Sequence, residues 1–183
     1  MKYFIDTEFI DDGKTIDLIS IGILADDGRE YYAISKEFNL DNASLWVIEN
    51  VIPHLPQPEL KTTRQMGPLA PGWKAEIIYP PEYKTRAEIR EDIREFVNDY
   101  TEQPEFWSYY GAYDWVGLCQ LFGKMIDLPR GWPGYCRDIK QLCDSLGNPE
   151  LPHAFEDEHH ALSDARWNKA AFKHLMELKR HKA

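Results

Sequence analysis

Apolar and polar positions alternate from the first residues of the chain. Residues 2–9 (KYFIDTEF) place large apolar side chains at every second position or closer, the pattern of a strand. Residues 16–25 (IDLISIGILA) form a second and stronger apolar run. Asp26-Asp27-Gly28 supplies a turn, and residues 29–35 (REYYAIS) alternate again. These three segments predict an antiparallel meander. From there the period changes to helical. Residues 41–52 predict a helix with Asp41 or Asn42 as N-cap, and residues 85–100 predict another, with Ile89, Ile93, Phe96 and Val97 at helical spacing. A strand over 105–110 and a helix over 114–125 follow. A short helix over 138–146 is closed by Gly147, Asn148 and Pro149. A last helix runs over about 161–178, with Leu162, Ala165, Phe172, Leu175 and Met176 on one side. A meander followed by alternating helix and strand predicts an α/β fold, a mixed sheet of antiparallel and parallel strands flanked by helices.

Residues 53–86 interrupt this pattern. They hold seven of the twelve prolines and predict a long loop or arm. Five Lys or Arg against three Glu make the segment +2 in a chain whose net charge is -10. An arm of that sign suits contact with a substrate, with a second subunit in a homodimer, or with solvent alone. No composition shift marks a domain boundary, so residues 1–183 read as one domain.

Composition narrows the function. Hydrophobic residues make up 43% of the chain, ample for a core. No apolar run reaches the length of a membrane span, and the chain opens on a strand rather than a targeting segment. Three cysteines without a CxxC pair suit reduced thiols and a cytoplasmic setting. A broad duplex-binding surface is normally basic, which the charge of -10 opposes. The chain has no Walker A loop, no Gly-rich Rossmann turn and no EF-hand loop.

The chemistry that remains is acidic. Asp6 and Glu8 lie two apart on a strand, so both point to one face. Two carboxylates in an apolar run are either a solvated pair on an edge strand or half of a divalent-cation site. The only other acid-x-acid pair, Glu156 and Glu158, lies outside any strand pattern. Asp114 opens a helix after the strand EFWSYY, where it reads as an N-cap or as a sheet-end site residue. Asp164 lies one turn into the last helix, and His159 lies just before it. His159-His160 lacks the cysteine partners of a structural zinc site, and His153, His160, His174 and His181 read as surface residues.

Taken in order, Asp6-Thr7-Glu8, then Tyr110-Gly111-Ala112-Tyr113-Asp114, then His159-His160-Ala161-Leu162-Ser163-Asp164-Ala165 resemble the three motifs of the DEDDh (DnaQ-like) exonucleases of the RNase H-like superfamily. The opening segment and YGAYDWVGLCQL are most similar to small bacterial 3′-5′ exoribonucleases of the polyadenylate-specific type. The resemblance implies two Mg²⁺ ions, with Mn²⁺ able to substitute. Asp6, Glu8 and Asp164 would hold one ion, Asp6 and Asp114 the other. It makes His159 the general base, in a loop from which it can swing toward substrate. It makes Thr7 and Phe9 contacts of the terminal nucleotide. The implied substrate is single-stranded RNA or a 3′ overhang, shortened to nucleoside 5′-monophosphates. The same site would serve a DNA exonuclease, and the acids alone would suit a non-catalytic acidic interaction protein.

Overall fold

The computed structural model describes residues 1–66, 71–97, 103–153 and 159–182. Its elements are, in chain order, β1 (Lys2–Asp11), β2 (Ile16–Ala25), β3 (Glu30–Ser35), α1 (Leu45–Asn50), β4 (Glu59–Met66), β5 (Pro71–Ile78), β6 (Tyr83–Lys84), α2 (Arg86–Phe96), β7 (Glu105–Ser108), α3 (Ala112–Phe122), β8 (Arg137–Asp138), α4 (Ile139–Ser145) and α5 (Ala161–Lys182). Among the described residues no helix is long and apolar enough to cross a membrane.

Six strands form one sheet in the order β6-β3-β2-β1-β7-β8. β1 pairs antiparallel with β2 and parallel with β7, so the sheet is mixed, as the sequence pattern implies. β1 therefore lies in the interior of the sheet, which removes the edge-strand reading of Asp6 and Glu8. Side-chain alternation divides its residues between two packed faces. Tyr3 and Ile5 join Ile89 and Ile93 of α2 and Leu118 of α3 in one core cluster. Phe4 points the other way, to Ile139 and Cys143 of α4 and Ala171, Phe172 and Leu175 of α5. A third cluster joins Ile10, Ile19 and Ile34 to Val47 and Val51. The register slips between Glu8 and Phe9: Glu8 pairs with Ser20 and Phe9 with Leu18.

Three elements differ from expectation. The first helical segment is shorter than the pattern over 41–52. Asn39 caps a 3-10 turn over Leu40–Asn42, and α1 begins later, with Ser44 as its N-cap. α3 begins at Ala112 with Gly111 at the N-cap, so Asp114 lies inside the first turn and is not the cap. Residues 53–86, expected as a loop or arm, carry strands among the described residues. β4 and β5 pair antiparallel from Glu59 with Ile78 to Met66 with Pro71, and β6 then joins the main sheet beside β3. The prolines obscure this ribbon in the sequence, yet among the described residues they fall before β4, at the first residue of β5 and after it, where a missing N–H is tolerated. The ribbon leaves Leu60 and Trp73 largely exposed.

Gly22 controls how α5 meets the sheet. It pairs with Asp6 on one side and Tyr32 on the other. A Cβ at this position would lie under 3.0 Å from the backbone C and O of Ala161 and the backbone N of Leu162. The start of α5 therefore rests directly on β2, and no side chain can yield to make room. Gly117 of α3 is different, because a Cβ there would meet its nearest neighbours at 3.8–3.9 Å, an ordinary contact. We expect Gly22→Ala to destabilise the protein by about 1–3 kcal/mol through overpacking. Gly117→Ala should instead stabilise it by up to about 1 kcal/mol, the helical preference of Ala over Gly. Urea denaturation of both variants checks this, and an unchanged midpoint for Gly22→Ala would contradict the close approach.

Candidate active site

β1 and α5 supply the centre of the site. Ligand oxygens of Asp6, Glu8 and Asp164 lie within 4.8 Å of one another, with Glu8 buried and the other two half-buried. Asp6 and Glu8 share a strand face by alternation, and the Gly22 contact brings the first turn of α5 over that face. Asp164 is fixed at both ends: its backbone N–H donates to the His160 carbonyl (3.0 Å), and its Oδ2 accepts from the His159 backbone N–H (3.0 Å).

Asp114 stands outside that trio and is held by three donors. Its Oδ1 accepts from the Thr7 backbone N–H (2.9 Å) and the Thr7 hydroxyl (2.6 Å), and its Oδ2 accepts from the Ser108 hydroxyl (2.8 Å). All three residues are buried. Thr7, expected to contact the terminal nucleotide, has both its donors occupied by Asp114. Phe9 stacks on Tyr113 of α3, with ring centroids 5.8 Å apart and planes at 23°.

His159 adopts a left-handed backbone conformation, φ +67°, and its ring meets Trp46 edge-on at 4.9 Å. His160 is not a simple surface residue: it is half-buried and stacks on Tyr32 at 4.5 Å, with Nδ1 accepting from the Ser163 backbone N–H (3.4 Å). A cavity of about 380 Å³ opens beside the acids, lined by Asp6, Tyr109, Leu151, His159, Asp164, Trp167 and Asn168. His159 thus shares a cavity wall with two of the three clustered carboxylates. Glu156 and Glu158 lie outside the described residues.

The electrostatics are those of crowded anions. Burial raises the Asp6 carboxyl well above its ordinary range, and the charges of Asp114, Glu8 and Asp164 raise it further. Glu8 is pushed up to about 8, by burial first and then by Asp164 and Asp114. Burial also raises Asp114, against the opposing effect of the hydrogen bonds from Thr7 and Ser108. Among the described residues, the side chains that raise Asp6 are the carboxylates of Asp114, Glu8 and Asp164. At neutral pH the group must hold protons or take up a cation. The donor set fits a hard divalent ion, being all oxygen, anionic and convergent.

Comparison with known proteins agrees with this chemistry. The family described as the 3'-5' exoribonuclease Rv2179c-like domain matches residues 72–176. This chain belongs to that family. It is similar to 3'-5' exoribonuclease Rv2179c of Mycobacterium tuberculosis (strain ATCC 25618 / H37Rv), with 44% identity over 167 residues, 91% of this chain and 88% of the relative. The same figures hold for 3'-5' exoribonuclease MT2234.1 of Mycobacterium tuberculosis (strain CDC 1551 / Oshkosh). Among solved structures, S. pombe Pop2p in its Mg²⁺- and Mn²⁺-bound form aligns over 96% of this chain and 82% of its own, with a TM-score of 0.57 and 14% identity. That likeness is one of fold, an RNase H-like arrangement.

Within this Rv2179c-like fold, several residues around the acids escaped the sequence reading. Ser108 ends β7, two residues before the motif around Asp114, and nothing in its type marks it as a donor to that acid. Asn168 had a usable signal, since it lies four residues after Asp164 on one helix face. Its Nδ2 donates to the Ile5 carbonyl (2.9 Å), joining α5 to β1 directly beneath the acids. Tyr109, Leu151 and Trp167 come from three separate segments, so no local pattern unites them.

The raised carboxyls have a measurable consequence. Glu8 shifts from 4.5 to about 8 on folding, so between those pH values the folded protein holds protons that the unfolded chain has released. Stability then falls as pH rises through that window. In a chelator, the unfolding free energy should drop between about pH 4.5 and 8 by an amount on the order of a few kcal/mol. Glu8→Gln should flatten the slope, and Mg²⁺ should restore stability at the alkaline end. Thermal or urea unfolding across pH measures this, and a wild-type stability that rises over the same range would be inconsistent with buried, crowded acids.

Proposed function

We propose that the protein is a metal-dependent 3′-5′ exoribonuclease, acting as one domain on single-stranded RNA or a 3′ overhang and releasing nucleoside 5′-monophosphates. The observation that carries this reading is the convergence of Asp6, Glu8 and Asp164 within 4.8 Å, beside a cavity walled by His159. The name 3'-5' exoribonuclease, carried by relatives 44% identical over most of the chain, supports it.

Asp6, Glu8 and Asp164 would hold one Mg²⁺, and Asp6 with Asp114 a second, Mn²⁺ serving in place of either. When bound, such ions supply charge stabilisation of the attacking and leaving oxygens of an in-line displacement. The protein's own groups do the rest. His159 accepts the proton of the attacking water as its oxygen forms a bond to phosphorus. The bond from phosphorus to the 3′-oxygen of the upstream nucleoside breaks, and that oxygen leaves as a hydroxyl once protonated. Thr7 and Ser108 keep Asp114 oriented without taking part in the chemistry. Phe9 and Tyr113 offer an aromatic surface to the terminal base. A pocket of four carboxylates repels metal-free RNA, which is compatible with a net charge of -10.

Incubation with 3′-labelled single-stranded RNA should release mononucleotides stepwise in Mg²⁺ or Mn²⁺ and none in EDTA. A 3′-phosphate should block the reaction, and the matched DNA strand reports sugar preference. Asp6→Asn, Glu8→Gln, Asp114→Asn and Asp164→Asn should each lose turnover. His159→Ala should lose roughly 10²–10⁴-fold, and His160→Ala far less. Activity that survives EDTA, or internal fragments as first products, would overturn the reading.

A further inference from the structure

β7 and α3 are joined by a turn that its residues do not favour by themselves. Tyr110 adopts a left-handed backbone conformation, φ +56°, which a bulky side chain resists. A Cβ at Gly111 would lie 2.6 Å from the Ser108 Cβ, so the turn folds directly back onto the end of β7. The Ala112 backbone N–H donates to the Tyr110 carbonyl (2.8 Å). A conformation of this kind persists only where neighbouring structure holds it.

The holding group comes from a separate segment. Asp138 ends β8 and pairs with Ser108 across the sheet. Its Oδ2 accepts from the Gly111 backbone N–H (3.0 Å). Its Oδ1 accepts from the Gln141 backbone N–H (3.0 Å), the N-cap bond of α4. One carboxylate therefore spans the starts of two helices. Capping α4 occupies one oxygen, and the other is given to the turn before α3.

Gly111 is the N-cap of α3, and its carbonyl accepts from the Trp115 backbone N–H (3.0 Å). Fixing Gly111 thus fixes where the first turn of α3 begins, and Asp114 lies in that turn. Thr7 and Ser108 orient the Asp114 carboxylate, but neither sets the backbone that carries it. We propose that Asp138 is a positioning residue for the reaction: it holds the β7–α3 turn closed through Gly111 and so places the Asp114 carboxylate at the site. This rests on the exoribonuclease reading above, in which Asp114 serves the second ion.

Asp138→Ser separates the two bonds, because serine still caps α4 while the Gly111 N–H loses its acceptor. Amide hydrogen exchange of the metal-free protein, measured by NMR, reads both ends of the linkage. The Thr7 amide reports on Asp114, to whose Oδ1 it donates. Relative to the amides of β2, those of Gly111 and Thr7 should exchange roughly tenfold faster in the variant, the scale of one lost hydrogen bond. The Gln141 amide should keep its protection. On single-stranded RNA in Mg²⁺, kcat should fall by roughly 10–100-fold with KM little changed, as a misplaced reacting group requires. Asp138→Asn, of the same size and itself a strong N-cap, gives the same comparison if the serine variant folds poorly. An unchanged Thr7 amide, a speeding of the β2 amides by the same factor, or a wild-type kcat in a variant whose Thr7 amide is loosened would overturn the proposal and reduce Asp138 to a cap of α4. A wild-type protein that fails to cleave RNA in Mg²⁺ would instead remove the exoribonuclease reading, while the exchange rates would still report the linkage from Asp138 to Asp114.

Discussion

Mutual repulsion among Asp6, Glu8, Asp114 and Asp164 is the constraint around which the fold is arranged. Each of these acids would be better solvated alone at the surface, yet β1 carries two of them through the middle of a six-stranded sheet. Burial and neighbouring charge drive Glu8 up to about 8 and raise Asp6 well above its usual range. Such an arrangement persists only where the surrounding structure holds it in place. Here the holding elements are the paired strands on both sides of β1, the helices on both of its faces, and donors dedicated to single carboxylate oxygens.

Two local devices bring remote segments together. The absence of a side chain at Gly22 lets the backbone at the start of α5 rest on β2, which sets Asp164 beside Asp6 and Glu8. Thr7 reaches Asp114 across 107 residues of sequence with both its backbone and its hydroxyl. Because strand alternation sends Thr7 to the opposite side from Asp6 and Glu8, one tripeptide supplies acids to one face and an anchor for a fourth acid to the other. The register slip between Glu8 and Phe9 shifts the pairing by one residue, and Phe9 beyond it stacks on Tyr113.

The site is acidic at its centre and aromatic around it. Acid without aromatics would attract cations and nothing more. Phe9 stacks on Tyr113, and Tyr109 meets Trp167 edge-on.

Much of this was legible in the chain. Apolar runs placed β1 and β2, because interior strands packed on both faces are apolar at nearly every position, and alternation placed β3. Helical spacing placed α2 and α5, and the order of the acidic motifs carried the family resemblance. The ribbon of β4 and β5 was hidden, since polar residues such as Lys61, Thr63 and Lys74 give an exposed strand pair no burial pattern to read. Asp114 read either as a helix cap or as a site residue, because a cap and a buried acid in the first turn occupy nearly the same sequence position. Only the hydrogen bonds from Thr7 and Ser108 separate the two. By itself, then, the sequence determined which groups are present, on which elements and in what order, since those follow from local periodicity and residue chemistry. Tertiary structure alone decided that β1 is interior, that Gly22 lets α5 close over it, and that Tyr109, Leu151 and Trp167 share a cavity. Each of these depends on contacts between segments far apart in the chain, which local periodicity does not encode.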